Sequence, residues 1–449
     1  MTTTHDDTTA EARFTEGFED FLASRRSEPA WLTARRRAAM ARFEALGLPT
    51  PAHEDWKYTA IGPITKLAFE RRTEPALVAK DVIERFCYWE TSLARIVFVD
   101  GHYSAEYSEV RTLPEGVCVS SLSALMASPP DWLEAHLAAD AASETCPFRS
   151  LSTAWAQDGA VIRMPKGQKL DGPIHVLNLG TPGKSPASTS LRHLVIAEPN
   201  SEISVVERYA GIDESATYFT NSAIDVHIGR NASVHHYKVQ RESEASLHLG
   251  SMRVHQDAAA RFRSVCISAG GALARHDIET RQLGEGTETD LSGLALVDGR
   301  RHADFRVLVH HSRSHGTSKQ FYKSILDNES TAVFNGRIVA DHGTVGTDAQ
   351  QTNNNLLLTD GAVANTRPQL EIYADDIACS HGATVGQLDA DAMFYLQSRG
   401  LPKRRAESLL TYAFASDIVD RVTIEPIRHR IHEYLATRME CGDELGEDS

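Results

Sequence analysis

The sequence predicts a mainly β chain, a core of stacked β coils flanked by N-terminal and C-terminal helical segments. Three observations carry that expectation. From about residue 160 to residue 378 the chain is cut into short β-branched runs, among them SEISVVERY, SAIDVHIG and ASVHHYKVQ, separated by Gly, Asn and Asp. Turn-like positions Asn200, Asn231, Asp257, Gly286 and Gly316 fall 31, 26, 29 and 30 residues apart, a loose recurrence of the kind stacked coils produce. Helical periodicity is nearly absent within those limits and returns on both sides. A sandwich with Greek-key connections fits the same runs and stays open at this point.

Taken in order, residues 1–13 (MTTTHDDTTAEAR) are polar and acidic, with neither a positive n-region nor an apolar h-region; they read as a disordered leader, not a signal peptide. A mainly helical module is expected over 14–158. There Phe14, Phe18, Phe21 and Leu22 recur at helical spacing, while Trp31, Met40, Phe43 and Leu46 mark a second helix that stops before Gly47-Leu-Pro. Residues 131–142 carry more helix signal, and the run ARIVFV from Ala94 is strand-like. The β core takes 159–388. Its coils bury their faces on one another and leave two open ends, a task suited to the flanking helices. In the helical region 389–439, Ala390, Met393 and Phe394 precede a stop at Gly400-Leu-Pro, and Ala406, Leu409, Leu410, Ala413 and Phe414 stand at i, i+3, i+4, i+7 and i+8. Intramolecular packing is the expected cover for that stripe. The tail 440–449 (ECGDELGEDS) is expected to be disordered.

Composition narrows the function. At 449 residues, 41% hydrophobic and 24% charged, the chain is a folded protein larger than a typical single domain. Its 46 basic and 61 acidic side chains give −15, which repels phosphate backbones and anionic lipid and argues for protein partners. Cys87, Cys118, Cys146, Cys266, Cys379 and Cys441 show no CxxC spacing, so thiols in a reducing, cytoplasmic compartment are expected. Neither a GxxxxGK[ST] loop nor a GxGxxG that opens a helix occurs, so the chain is not expected to hydrolyse nucleotide or to be an enzyme of that class.

The densest chemistry is Cys379-Ser-His381. If the preceding strand continues through it, alternation puts Cys379 and His381 on one face and Ser380 on the other. A thiolate and an imidazole suit zinc, copper or iron, yet two ligands leave a four-coordinate site or a cluster incomplete. The bland alternative is a buried thiol beside a backbone-bonded histidine. Gly382 and Gly386 are expected to serve backbone geometry at the strand-to-helix transition. Cys266, alone in an apolar strand, reads as structural. His235-His236 and His310-His311 are neighbours that must point to opposite faces, so neither pair chelates. Trp56, Lys57 and Tyr58 read as packing and capping.

Several blocks together resemble the SufB/SufD family of iron–sulfur cluster assembly proteins. They are PAHEDWKYT from Pro51, NNLLL from Asn354, PQLEI from Pro368, DDIACSHGATVGQLD from Asp375 and FYLQSRG from Phe394. Ser-His-Gly after Cys379, where SufB-like chains carry an acidic residue and a Glu-His pair, resembles the SufD branch. The resemblance implies a right-handed parallel β-helix, pairing with a SufB-like paralogue, and a hold on a SufC-like ATPase through the C-terminal helices, for which Phe394, Leu409, Leu410 and Phe414 are the candidates. It also implies that His381 lies at the subunit interface, where a transient iron–sulfur cluster forms with ligands from the partner; Cys379 stays open between ligand and structural thiol. The family complex is also associated with reduced flavin, for which these residues mark no site. Two other readings are a β-helix polysaccharide lyase or hydrolase, and a structural SufD-like homodimer without cluster contact.

Overall fold

Strands alternate along the chain between two sheets that share one lumen. The computed structural model describes residues 4–26, 28–88, 91–137 and 141–439. The first sheet runs from Ala160–Met164 through Ala187–Ala197, Tyr218–Ile228, Leu247–Gln256, Leu273–Gln282, His302–His311 and Thr331–Ala340 to Val363–Ile372. The second runs from Ala94–Val99 through Ile174–Gly180, Glu202–Gly211, Ser233–Arg241, Arg261–Ser268, Glu288–Val297, Thr317–Leu326 and Val345–Leu357 to Asp376–Gly386. All these neighbours pair in parallel. Parallel pairing needs crossovers, not hairpins, and removes the Greek-key sandwich. The core is a parallel β-solenoid, as the coil recurrence suggested.

At one row of corners, left-handed residues Asn200, Asn231, Ala259, Gly286 and His315 have φ of 61°, 55°, 56°, 66° and 60°. Two positions differ from expectation. Asp257 accepts the Ala258 N–H at 2.7 Å and starts its corner, while Ala259 takes the left-handed turn. Gly316 is a glycine for space: a Cβ there would lie 2.3 Å from the Gln282 side chain. Between coils, Asn231 Nδ2 donates to Asn200 Oδ1 at 3.0 Å, so the corners are also tied through side chains.

Alternation sends every second side chain into the lumen, which is apolar at its N-terminal end (Phe98, Ile174, Val205, Val226) and becomes ring-lined further on. The rings of Tyr209, His248, His276, Phe305, Tyr322 and Phe334 follow one another at 4.7, 5.2, 5.3, 5.1 and 5.0 Å between centroids. Pairs of aromatic rings at this spacing contribute about 0.5–1.5 kcal/mol beyond their buried area. The column needs Gly293, because a Cβ there would stand 2.4 Å from the Tyr322 ring.

The flanking helices lie along the outer faces of the sheets instead of over their ends. Ala30–Leu46 and Pro147–Trp155, with Phe14, Phe18 and Trp56, cover Phe219, Leu247, Leu249 and Leu273 of the first sheet. Lys403–Val419 and Glu425–Arg438 bury Ala415, Ile418, Val419, Ile427, Ile431 and Leu435 against Val239, Ile267, Leu294 and Ile325 of the second. Those outward apolar rows are the larger demand for cover. The second of these helices is one more than the two read from sequence; Pro426 sits in its first turn, and Ile427, Ile431 and Leu435 stand at i, i+4 and i+8. The N-terminal end is closed by short antiparallel strands, His102–Tyr103 and Glu109–Val110 on one sheet and Cys118–Ser121 on the other. At the C-terminal end no residue of Val363–Ile372 or Asp376–Gly386 is buried.

Two further differences concern the ends of the N-terminal module. Its leader is not disordered throughout, since Thr4–Thr15 is a helix. Tertiary anchoring explains this: Phe14 packs 6.1 Å from Phe43 and 6.4 Å from Phe148, and its carbonyl accepts the Trp155 indole N–H at 2.8 Å. Ala94–Val99, with all six residues buried, pairs with Ile174–Gly180, so the module shares a strand with the solenoid. The tail 440–449 lies outside the described residues. Among the described residues no helix is long and apolar enough to cross a membrane.

Candidate functional site

The strand Asp376–Gly386 pairs with Val345–Leu357 on one side and stands at the edge of its sheet on the other. Ala349 is opposite Cys379 and Gln351 opposite His381. Because Ala349 and Gln351 are buried toward the lumen, Cys379 and His381 belong to the lumen-side row at the uncovered end, while Ser380, opposite Gln350, is on the outer row. Below them the floor is uncharged and amide-lined. Gln351 Nε2 donates to Gln320 Oε1 at 2.7 Å, and Asn355 Nδ2 donates to Asn353 Oδ1 at 2.7 Å.

The Cys379 thiol is half-buried, and burial pushes its pKa above the ordinary thiol value, with Asp348 adding to the rise. It is therefore a thiol at neutral pH, not an activated thiolate. His381 is exposed. Among the described residues no group of three or more His, Cys, Asp or Glu side chains is placed to hold a metal ion. Two ligands on an open edge can bind a metal only with donors from another molecule. Gly382 and Gly386 do not serve the geometry expected of them: neither has a left-handed φ, and a Cβ on either would meet nothing within 4 Å. They instead leave the outer row beside His381 bare.

The helical stripe divides. Lys403–Val419 buries Ala406, Thr411, Ala415, Ile418 and Val419, a line rotated from the predicted one. Phe414 and Leu410 are half-buried, and Lys323 Nζ lies 4.1 Å from the Phe414 ring. Leu409 stays 42% exposed, and Phe394 and Tyr395, on a helix Ala390–Ser398 with no buried residue, are 73% and 57% exposed. Intramolecular packing thus covers only part of the stripe and leaves Phe394, Tyr395 and Leu409 as exposed apolar side chains.

Sequence reasoning missed a charged network inside the lumen. Glu207 accepts hydrogen bonds from Tyr209 Oη and His236 Nε2, each at 2.8 Å; Lys238 Nζ is 3.0 Å from His248 Nε2, whose Nδ1 is 2.8 Å from Glu242. Burial pushes the Glu207 carboxyl up, but the His236 hydrogen bond and the nearby positive charges outweigh it and hold the group well below the usual carboxylate range. The alternation of His236, Lys238 and Gln240 in VHHYKVQ is visible in sequence; which face turns inward is not. Cys266 is buried in this region and its thiol is pushed up to about 12, an inert structural group. The paired histidines do split between faces. His236 and His311 are buried, whereas His310 meets Asp341 outside at 2.8 Å. Trp56 packs 5.5 Å from Phe148 beneath Arg275, consistent with a packing role.

Comparison with known proteins identifies the family. Residues 180–414 match the family described as SUF system FeS cluster assembly, SufBD core domain, and residues 9–176 match the SufBD protein N-terminal region. The chain therefore belongs to the SufBD family of iron–sulfur cluster assembly proteins, which replaces the polysaccharide lyase or hydrolase reading. It is 32% identical over 421 residues to an iron–sulfur cluster assembly SufBD family protein of Synechocystis sp., covering 92% of each chain. It is 31% identical over 409 residues to the iron–sulfur cluster assembly protein SufD of Escherichia coli, covering 88% of this chain and 90% of that one. A chloroplastic Arabidopsis thaliana protein, ABCI7, is 30% identical over 434 residues, 94% and 89% of the two chains.

Proposed function

We propose that this chain is a non-catalytic, cytoplasmic scaffold subunit that completes a nascent iron–sulfur cluster site by joining a SufB-like partner at its C-terminal edge. The observation that carries the reading is the uncovered last coil, which ends in an edge strand that is unpaired on one side and bears Cys379 and His381, with no third ligand grouped beside them among the described residues. Strand addition would satisfy the free backbone groups and bring the partner's donors to His381. Cys379, with its raised pKa, supplies a ligand only after a neighbouring metal lowers that pKa.

A SufC-like ATPase is the proposed cover of the exposed Phe394, Tyr395 and Leu409, with Leu410 and Phe414 linking them to the sheet below. Lys323 supports that linkage: its Nζ donates to the Phe414 carbonyl at 2.9 Å and is 2.5 Å from the Asp417 carboxylate. Movement of the ATPase would reach the second sheet through this contact and from there the edge strand, opening the proposed subunit interface so that His381, covered there by the SufB-like partner, meets iron and sulfide. The test is co-expression with SufB-like and SufC-like candidates, anaerobic purification, and visible absorption of the product. The expected result is a complex whose iron–sulfur absorption is lost in His381→Ala. Failure to co-purify with either candidate, or unchanged absorption in His381→Ala, would sink this assignment.

A further inference from the structure

Away from the edge strand, a groove of about 350 Å³ runs between the outer face of the second sheet and the helix Glu425–Arg438. Among the described residues four guanidinium groups line it, Arg85, Arg208, Arg241 and Arg430, the last donating to the Cys87 carbonyl at 2.6 Å, against one carboxylate, Glu433, which is already met by His429 at 3.1 Å. In a chain of charge −15 this is a concentrated positive site.

Arg208 is the informative member. It faces outward on Glu202–Gly211 and is only 8% exposed, yet its guanidinium makes no hydrogen bond or ion pair among the described residues, and its buried Nε has no partner. Its contacts are the rings of Phe86 at 5.3 Å and Tyr88 at 5.1 Å. A buried cation without a counter-charge opposes folding unless a ligand supplies one. Beside it, fully buried His175 leaves both ring nitrogens unpartnered, and its pKa falls to about 3, through burial first and then the positive charges of Arg208, Arg95 and Arg430. Arg241 is held 4.2 Å over the Tyr434 ring, so its planar fork is positioned in advance.

We propose that this groove binds a phosphate-bearing small molecule, with Arg208 and Arg241 engaging phosphoryl oxygens and Arg85 at the mouth. Guanidinium forks match phosphoryl oxygens two at a time, and the volume falls in the range of small-molecule sites. An extended acidic peptide would need a longer basic track than this compact group offers.

The test uses the full chain and isothermal titration with inorganic pyrophosphate at low salt, with ADP as a second arm. One-site binding that weakens as salt rises, and that falls at least about tenfold in both Arg208→Met and Arg241→Met, supports the proposal. Binding of ADP at least about tenfold tighter than pyrophosphate assigns a nucleotide; equal binding assigns a phosphoryl group alone. Arg241 is exposed, so its variant reports on binding even if Arg208→Met fails to fold. Absence of pyrophosphate and ADP binding in the millimolar range, binding unchanged by Arg241→Met, or tighter binding of hexaglutamate than of pyrophosphate would each overturn it.

Discussion

Acidification should unfold this solenoid well above the pH at which its carboxylates titrate. His175, His193 and His311 are all at most 2% exposed, and burial lowers their pKa values to about 3, about 4 and about 4. A histidine in the unfolded chain titrates near 6.5. Because each ring binds a proton less readily when folded, the unfolded state takes up more protons as pH falls through 6.5, and stability drops until the folded pKa is reached. At pH 5 the unfolded chain gains about 2 kcal/mol per ring relative to pH 7, roughly 6 kcal/mol for the three. That is a large part of the roughly 5–15 kcal/mol that holds a domain folded. Glu207 and Glu242 do not offset it, since both are held below the ordinary range and remain ionised across this window. Urea unfolding followed by circular dichroism at pH 7, 6 and 5 measures the effect. His175→Phe should recover about 2 kcal/mol of the loss at pH 5. Stability that differs by less than about 1 kcal/mol between pH 7 and pH 5 would refute the reasoning, because it would mean that these rings take up a proton in the folded chain about as readily as in the unfolded one.

Other perturbations probe separate parts of the molecule. Phe334→Ala removes a ring that is 1% exposed and 5.0 Å from Tyr322, and should cost about 3–5 kcal/mol in urea unfolding. Phe394→Ser, at a side chain 73% exposed, should leave the stability of the isolated chain within about 0.5 kcal/mol. On the proposed assignment the same variant should weaken co-purification with a SufC-like ATPase, and full retention of that ATPase would remove Phe394 from the proposed interface. Iodoacetamide at pH 7.5, read by mass spectrometry, should label half-buried Cys379 more slowly than a free cysteine peptide and leave Cys266 unlabelled until the chain unfolds.

The solenoid was legible because each coil repeats one physical problem. β-branched runs must alternate sheets, and a residue tolerant of positive φ is needed at each corner, so Asn200 and Asn231 announced themselves in the sequence. Ala259 did not, since nothing in an alanine marks a left-handed turn. The pairing of Cys379 with His381 followed from period two alone, whereas the open edge beside them did not, because a lone sequence does not say where stacking stops. The helical periodicity predicts the buried stripe only in part: Ala406 is buried as expected, but Leu409 is not, because the face on the sheet runs on through Thr411, Ala415 and Ile418, small or branched residues that allow close approach. The lumen network was hidden for a related reason. Charged residues on a strand normally mark its solvent side, and only the neighbouring coils reveal that Glu207 and Lys238 turn inward.

The unpaired edge of Asp376–Gly386 has a consequence for how the protein must be supplied. A solenoid that ends in bare amide and carbonyl groups can be lengthened by any strand that fits, including that of a second copy. On the proposed pairing, chains produced in excess of a partner would then seek one another or a stray strand, while chains produced alongside it would be sealed at once. If that pairing holds, the balance between subunits becomes a condition of the protein's solubility as well as of its assembly.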